Sequence, residues 1–314
     1  MSIDFHLPNF VDRFGSAINL TVIDMVKKLP EMFYDDIKIA SVFDSFPLIW
    51  NGGRMMIGYM DENTVKNTVP RYLYPFNAAG VPCRFTFTNP MLTEKDIADP
   101  ACNAVLDIAD NGLNEVIVFS PLLEKHIRET HPDMKITSST CKQIRSVQEL
   151  EAELDKDYKL VVLDYNFNND LEKLEKISKK EKCELLVNAV CTPNCPRRGD
   201  HYRYIGKYQL EHCNAADVEK FRNGTAKLEE WNCSAMKTNV FARRRSPLNI
   251  SPQDIFGRYV PMGFTNFKLE GRGTSFADLI EQYVYYLVKP QYRPIVQYNL
   301  TSTAARVAGS GRMG

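Results

Sequence analysis

The sequence predicts an α/β protein built as a (β/α)8 barrel of the TIM type. Short runs rich in β-branched and aromatic residues alternate with longer amphipathic runs. Such alternation is typical of parallel strands joined by crossover helices. An open doubly wound sheet is the alternative, but it carries a glycine-rich phosphate turn after its first strand. Here Gly52-Gly53-Arg54 has the wrong spacing for that turn, so we favour the barrel.

Seven of the eight strands can be placed along the chain. The predicted strands are residues 37–42, 83–88, 115–120, 135–139, 159–165, 184–190 and 266–269. The stretch 196–245 is rich in Arg, Asn and His and has weak periodicity. We expect the seventh strand of the barrel within it, which makes the barrel irregular at that point. Counting this strand gives eight, the number that closes such a barrel.

Amphipathic segments predict the helices between these strands. The predicted helices are residues 62–79, 94–111, 121–130, 146–154, 170–180, 251–259 and 275–288. Residues 168–170 are typical of a helix N-cap. We expect one domain over residues 1–297, with an N-terminal extension (1–30) across one end and an irregular excursion (191–245). Residues 298–314 are small, polar and glycine-rich, and we expect a flexible tail.

Composition and charge limit the class of protein. The 314 residues include 39 Lys+Arg, 39 Asp+Glu and 44% apolar residues, which suits a compact protein with a substantial core. A formal net charge of zero gives no long-range attraction for nucleic acid or an anionic membrane. No apolar run reaches the ~20 residues that span a bilayer, and residues 1–9 do not resemble a signal peptide. We therefore expect a cytoplasmic protein without a membrane span.

The eight cysteines are unevenly distributed, and four of them suggest a metal site. Cys191 and Cys195 directly follow the strand predicted at 184–190, where the active sites of such barrels form. Cys213 and Cys233 follow on the excursion. Four thiolates are suited to an iron–sulfur cluster or a structural zinc ion. The alternative is that each cysteine is a small buried apolar residue. We expect the other four, Cys83, Cys102, Cys141 and Cys183, to lie elsewhere.

Polar residues at predicted strand ends are candidates for substrate binding. Asp44, Asn89 and Asp164 each occupy the end of a strand, and Asn188 precedes the first cysteine pair. We expect Asp44, Asn89 and Asn188 to bind substrate and Asp164 to take part in catalysis. The alternative for such residues is a structural role, since Asp and Asn also cap helices and satisfy backbone groups.

Arginines near the strand ends predict an anionic substrate. Arg272 follows the last predicted strand, and its planar fork is suited to a carboxylate or phosphate, with Glu270 beside it for positioning or proton transfer. Arg54 lies on the Gly52-Gly53 turn, which is either a surface hairpin or a second anion contact. The alternative for the Glu270–Arg272 pair is a tie within a loop. Arginines 197–198 and 243–245 form basic islands on either side of the cysteine excursion, and these either favour an anionic substrate or form a solvated charged face.

Three segments resemble one known family. Residues 184–202 (ELLVNAVCTPNCPRRGDHY), 249–273 and 277–293 contain its signature elements. These elements are Ser251-Pro252-Gln253-Asp254, Lys268-Leu269-Glu270-Gly271-Arg272 and Tyr292-Arg293. The pattern resembles the collagenase-like peptidase family, also called peptidase family U-thirty-two. The first cysteine pair is closer together than is usual in that family, and its glycine-rich N-terminal barrel start is not evident. The resemblance is therefore to a divergent member.

The resemblance implies a cofactor and an activity. It implies a four-iron, four-sulfur cluster held by Cys191, Cys195, Cys213 and Cys233. It also implies oxygen-independent hydroxylation of a small molecule, a quinone precursor or an RNA base. The resemblance implies an electron donor as a further partner. Two alternatives stay open. One is a peptidase, although His-Glu-x-x-His is absent from the sequence. The other is a zinc-stapled, non-enzymatic barrel that acts as a binding subunit in a homo- or heterodimer.

Overall fold

A closed barrel of parallel strands forms the centre of the molecule. The computed structural model describes residues 2–227, 231–233 and 239–310, and within them eight strands pair in sequence order, with the last strand pairing to the first. The strands are β1 (Ile3–Pro8), β2 (Ile37–Asp44), β3 (Cys83–Phe87), β4 (Glu115–Val118), β5 (Lys135–Ser138), β6 (Leu160–Val162), β7 (Cys183–Leu186) and β8 (Asn266–Lys268). The predicted fold class is confirmed.

The first strand lies where the sequence predicts an N-terminal extension. β1 pairs with β2 on one side and with β8 on the other, so residues 3–28 supply the first strand and helix of the barrel. The described part of 196–245 contains helices and no strand, so the expected position of the seventh strand is wrong. Asp4 and His6 interrupt the apolar run of β1, and His6 faces the barrel interior, which hides the strand from a search for β-rich residues.

Helices surround the barrel. They are α1 (Arg13–Lys28), α2 (Glu62–Ala78), α3 (Glu94–Ile97), α4 (Pro100–Ala109), α5 (Pro121–Thr130), α6 (Val147–Leu154), α7 (Leu171–Glu175), α8 (Arg198–His212), α9 (Ala215–Arg222), α10 (Val240–Arg243), α11 (Pro252–Asp254), α12 (Val260–Met262), α13 (Phe276–Leu287) and α14 (Arg293–Ser310). Side-chain caps start many of them, and Asp170 caps α7 by accepting from the backbone N–H of Lys173, as the sequence predicts. No helix of the described chain is long and apolar enough to cross a membrane.

The chain end differs from the expected flexible tail. α14 extends to Ser310 and packs against α1 and α13. Val296, Leu300 and Ala304 are buried along one side of this helix at a spacing of four residues. Four-residue spacing places side chains on one helical face, and the many small polar residues between them hide this stripe in the sequence.

The two faces of the barrel strands have opposite character. Outward-facing residues such as Phe5, Leu7 and Phe267 belong to the main apolar core under the helices. Inward-facing residues such as Arg84 and Glu184 are charged and have no exposed surface. The barrel is therefore filled by a polar network, and this network is the base of the site described next.

Candidate active site

The C-terminal mouth of the barrel brings together most of the predicted polar residues. Parallel strands point their carboxyl ends to one face, and the active sites of such barrels form there. Asp44 ends β2, Asp164 follows β6, Asn188 follows β7 and Glu270 follows β8. Each therefore lies at the rim of the same opening, but their contacts differ.

A charged network fills the barrel below this mouth. Arg84 Nη1 donates to Glu184 Oε2 at 2.5 Å, and Nη2 donates to Thr137 Oγ1 at 3.0 Å. His6 Nδ1 lies 2.7 Å from Ser41 Oγ, and His6 Nε2 lies 3.5 Å from Glu184 Oε2. Burial lowers the pKa of His6 to about 3, so the imidazole is neutral at physiological pH. This layer is sealed from the mouth by the residues above it.

Lys268, at the end of β8, lies on top of the network. Its Nζ is 3.2 Å from Glu184 Oε1 and 4.1 Å from the centroid of the Phe43 ring. Lys268 is 8% exposed, whereas Arg84 and Glu184 have no exposed surface, so of these three charged groups Lys268 is the one with some exposed surface. Burial lowers the pKa of Lys268 to about 8, against the opposing charge of Glu184. Burial raises the pKa of Glu184, but Arg84 and Lys268 outweigh this effect and hold it well below its usual range.

Arg54 and Arg272 lie on two loops of the mouth, and the side chain of each arginine packs against the loop that carries the other. Arg272 Nη1 donates to Thr86 Oγ1 at 2.7 Å, and Arg272 Nη2 is 3.6 Å from the position that a Cβ on Gly53 would take. The Arg54 guanidinium lies against Gly273, where a Cβ would stand 2.7 to 2.9 Å from its Nη2, Nε and Cζ atoms. Both glycines have positive φ, +70° at Gly53 and +67° at Gly273. Glycine is thus required at both positions for conformation, and at Gly273 also for space.

Neither guanidinium is neutralised by a nearby carboxylate. Within the described residues, no carboxylate oxygen lies within 4.0 Å of Arg54 or Arg272. Burial lowers the pKa of Arg54, the charge of Arg272 lowers it further, and Glu270 and Asp44 act in the opposite direction. The mouth therefore holds two half-buried positive charges close together, and their mutual repulsion has no direct ion pair to offset it.

Two further polar groups reach the same point. Thr88 Oγ1 and Cys141 Sγ lie 3.5 Å and 3.4 Å from the position of a Gly53 Cβ, beside Arg272. Thr88 Oγ1 is buried and has no hydrogen-bond partner. An unpartnered buried hydroxyl is unusual in a folded protein, and here it lies beside an unpaired guanidinium.

The two carboxylates predicted at the mouth are turned toward backbone donors. Asp44 accepts from the N–H of Val11 at 3.2 Å and of Ser45 at 2.9 Å. Burial raises the pKa of Asp44, and the charge of Arg272 opposes the rise. Glu270 accepts from the N–H of Val190 at 2.9 Å. Both acids therefore stabilise loops around the mouth through hydrogen bonds with backbone N–H groups. Neither acid forms an ion pair with Arg54 or Arg272.

The two predicted amides are engaged in backbone contacts. Asn188 Nδ2 donates to the Glu270 carbonyl at 2.9 Å, and its Oδ1 accepts from the Glu270 N–H at 2.6 Å. Asn89 Nδ2 donates to the carbonyls of Ile49 and Gly206, at 2.6 Å and 3.1 Å. These contacts match the structural alternative for both residues. Substrate binding by Asn89 and Asn188 stays a prediction.

Asp164 is neutralised by an arginine that the sequence assigns to a basic island. Arg198 Nη1 donates to Asp164 Oδ1 at 3.2 Å, and Nη2 contacts Oδ2. The Arg198 guanidinium also lies 4.3 Å from the centroid of the Tyr165 ring. Both members of the ion pair are buried. This ion pair connects the start of α8 to the end of β6. Proton transfer to Asp164 would have to compete with the ion pair.

The four candidate cysteine ligands are not gathered at one point. Cys191 and Cys195 are close in the chain, and the pKa of the Cys191 thiol is raised by burial, with Tyr165 acting in the opposite direction and Cys195 adding to the rise. Cys213 lies elsewhere, next to Cys102, with its thiol donating to the Pro47 carbonyl at 2.9 Å. Burial raises the pKa of Cys213 to about 12, so in this arrangement it is a protonated thiol.

Cys233 completes the predicted ligand set on a different segment. It follows Trp231 and Asn232, which pack against Arg197: the guanidinium lies 4.5 Å from the Trp231 ring centroid, and Nη1 donates to the Asn232 carbonyl at 3.2 Å. Across the described ranges, no three His, Cys, Asp or Glu side chains are arranged to hold a metal ion. The prediction that the four thiols converge at one site is therefore wrong for this structure. The iron–sulfur or zinc cofactor itself stays a prediction.

Several residues of the site have no predicted role in the sequence analysis. Arg84, Glu184 and Lys268 all lie within predicted strands, where charged residues are uncommon. A charged residue within a predicted strand is therefore the sequence signal that points to these three residues. Thr86 and Thr88 carry no comparable signal, because threonine is common in strands for conformational reasons.

The fold and the site together define a (β/α)8-barrel protein with a cationic mouth above a charged interior. A solved structure with the same fold is that of the U32 peptidase Mk0906, with a TM-score of 0.50 and 13% sequence identity, covering 86% of this chain and 93% of that chain. No family model matches the sequence, and no curated protein is similar to it. The similarity shows a U32-like fold in a divergent chain, which agrees with the resemblance in the sequence.

Proposed function

We propose that this chain is a barrel enzyme that binds a small anionic substrate at its C-terminal mouth. The observation that carries the proposal is the reciprocal packing of Arg54 and Arg272 on Gly273 and Gly53, with no carboxylate within 4.0 Å in the described chain. A bound anion removes the repulsion between the two charges. A carboxylate or phosphate suits the site because a guanidinium donates two parallel hydrogen bonds to such groups.

The surroundings of the two arginines support an anion rather than a cation or an apolar ligand. Lys268 adds a third basic group beside the two guanidiniums, and Thr88 adds an unpartnered hydroxyl. Asp44 and Glu270 direct oxygens toward backbone N–H groups. A negatively charged ligand therefore meets donors at the centre of the mouth.

Oxygen-independent hydroxylation remains the finer hypothesis from the family resemblance. It needs an iron–sulfur cluster, and the described residues offer no ligand set for one, so we assign no step to such a group. Iron, zinc and acid-labile sulfide analysis of protein purified under nitrogen tests the cofactor directly. Stoichiometric iron and sulfide would support a cluster and would require Cys213 to leave its contact with Pro47.

The peptidase alternative receives little support from the arrangement of serine and histidine. Ser41, His6 and Glu184 are connected in the order of a hydrolase triad, with Ser41 Oγ 2.7 Å from the imidazole. However, Ser41 is 1% exposed and lies inside the barrel below Lys268. A peptide bond cannot reach this hydroxyl without opening the barrel.

Anion binding can be measured by titration calorimetry with inorganic phosphate and with malonate. We expect both the phosphate and the dicarboxylate to bind the wild-type protein, and Arg54→Gln to weaken binding by about tenfold or more, the value of a lost charge-assisted hydrogen bond. Arg258→Gln is the matched control, because Arg258 is exposed and pairs with Asp254 on the surface. Wild-type protein that binds neither anion, or an Arg54→Gln variant that binds both equally well, would contradict the proposal.

A further inference from the structure

The Lys268 amine is a nitrogen nucleophile beside the two arginines of the mouth. Its Nζ lies 4.1 Å from the Phe43 ring centroid, and the guanidinium carbon of Arg272 lies 6.0 Å from the same centroid. The amine and the arginine therefore both lie near the same aromatic ring. A ligand whose anionic end is bound by Arg272 has the Lys268 amine as a neighbouring nucleophile.

The amine is loosely held by its surroundings. Its one ion-pair partner in the described chain is Glu184 Oε1 at 3.2 Å, and that oxygen has no hydrogen bond of acceptable geometry. Glu184 Oε2 is instead committed to Arg84 at 2.5 Å. Removing the positive charge from Lys268 thus leaves the stronger Arg84–Glu184 contact in place.

We propose that Lys268 is a nucleophile that forms an imine with a small carbonyl compound whose carboxylate or phosphate is bound by Arg54 and Arg272. The proposal rests on the anion site proposed above and names its substrate class, an anionic oxo compound. The carbonyl carbon supplies the electrophile, and the anionic group supplies the orientation. A 2-oxo acid and a phosphorylated ketone share this chemistry.

The reaction is a condensation that needs no redox partner. The ammonium first loses a proton to solvent, and the neutral nitrogen attacks the carbonyl carbon, so that a C–N bond forms as the C=O double bond opens. One proton passes from the nitrogen to the oxygen to give the carbinolamine, which then eliminates its hydroxyl group as water with the last proton of the nitrogen. The product is a C=N bond between Lys268 and the substrate carbon.

The charges around Lys268 favour the neutral amine. Glu184, Arg84 and His6 face it from the layer below, and Arg272 and Cys141 face it from the mouth. Burial lowers its pKa to about 8, with Arg84 and Arg272 adding to the shift and Glu184 opposing it. The neutral fraction near neutral pH is then roughly a hundredfold larger than for an ordinary exposed lysine. We expect imine formation to accelerate as the pH rises through about 8.

Reductive trapping tests this inference on the full chain. The protein is incubated with pyruvate or with dihydroxyacetone phosphate, reduced with cyanoborohydride, digested and mapped by mass spectrometry. We expect the adduct on Lys268 to exceed that on any exposed lysine by about tenfold or more, and inorganic phosphate to suppress it. The two carbonyl compounds distinguish a carboxylate from a phosphate as the anionic group.

Two variants locate the reactive amine. Lys268→Arg keeps the positive charge beside Glu184 and cannot form an imine, so the adduct at this position should disappear and only the low level on exposed lysines should remain. Lys66→Arg is the matched control, because Lys66 is exposed and pairs with Glu62 on α2, and it should trap as the wild type does. If Lys268→Arg does not fold, the peptide map of the wild type still decides where the adduct lies.

The outcomes separate this inference from the proposed function. Phosphate binding without an adduct on Lys268 overturns the imine and leaves the anion site standing. Adducts spread evenly over exposed lysines also overturn it. Absence of both phosphate binding and a Lys268 adduct overturns the anion site together with the imine.

Discussion

Replacing Arg84 with methionine is expected to destabilise the protein by about 3–5 kcal/mol, as is typical when one partner of a buried ion pair is removed. Arg84 has no exposed surface and contacts Glu184 and Thr137 inside the barrel. Its loss leaves the ionised Glu184 with the weaker contacts of Lys268 and His6. Denaturation by urea, followed by circular dichroism, measures the change in the free energy of unfolding.

A surface arginine provides the comparison for this result. Arg203 pairs with Asp200 across one turn of α8, and its side chain is 61% exposed, so Arg203→Met should cost about 1 kcal/mol or less. An Arg84→Met protein with wild-type stability would mean that water or a rearranged lysine compensates Glu184. In that case the contact between Arg84 on β3 and Glu184 on β7 would not contribute to the free energy of unfolding.

Replacing Arg272 with lysine is expected to weaken anion binding by about 10- to 100-fold and to leave the fold intact. Lysine keeps the charge and loses the planar pair of donors, and one charge-assisted hydrogen bond is worth about 1.5–3 kcal/mol. Arg272 is half-buried and makes one hydrogen bond, to Thr86, so little of the fold depends on it. Calorimetry with phosphate and a thermal melt of the same sample measure both quantities.

The control for this variant is an arginine that is far from the mouth. Arg222→Lys, on α9, changes an arginine that is 74% exposed and pairs with Glu219, and it should alter neither binding nor melting temperature. An Arg272→Lys protein with full anion affinity would assign the binding to other groups. A protein that loses stability instead would make Arg272 a structural tie between the last loop and β3.

The cysteine spacing illustrates what a sequence pattern cannot decide. Cys191 and Cys195 are close in the chain, and the structure also holds them as neighbours. Cys213 ends α8, and the direction of that helix directs its thiol to Pro47 and away from the pair. Whether thiols that are distant in sequence meet depends on the path of the whole excursion, because metal ligands must approach within a few ångströms of each other.

Strand signals depend on which face of the barrel is apolar. Runs of β-branched and aromatic residues predict the strands at 83–88 and 115–120, and the structure places β3 and β4 there. The sequence gives no such signal for β1, because Asp4 and His6 break its apolar run, and the inward position of His6 is explained by the polar interior. A polar interior makes buried strands resemble loops or exposed strands in the sequence.

The sequence by itself determined the barrel, the face that carries the site, and the arginines and acids at its rim, since these follow from local periodicity and from the position of residues after strands. Only the tertiary structure decided which of these residues are free. It paired Asp164 with Arg198, turned Asp44 and Glu270 to backbone donors, and left Arg54 and Arg272 unpaired above Lys268. The reason is physical: a charged group is available to a ligand only when no nearer partner neutralises it, and its nearest partners lie on strands and loops that are distant in the chain.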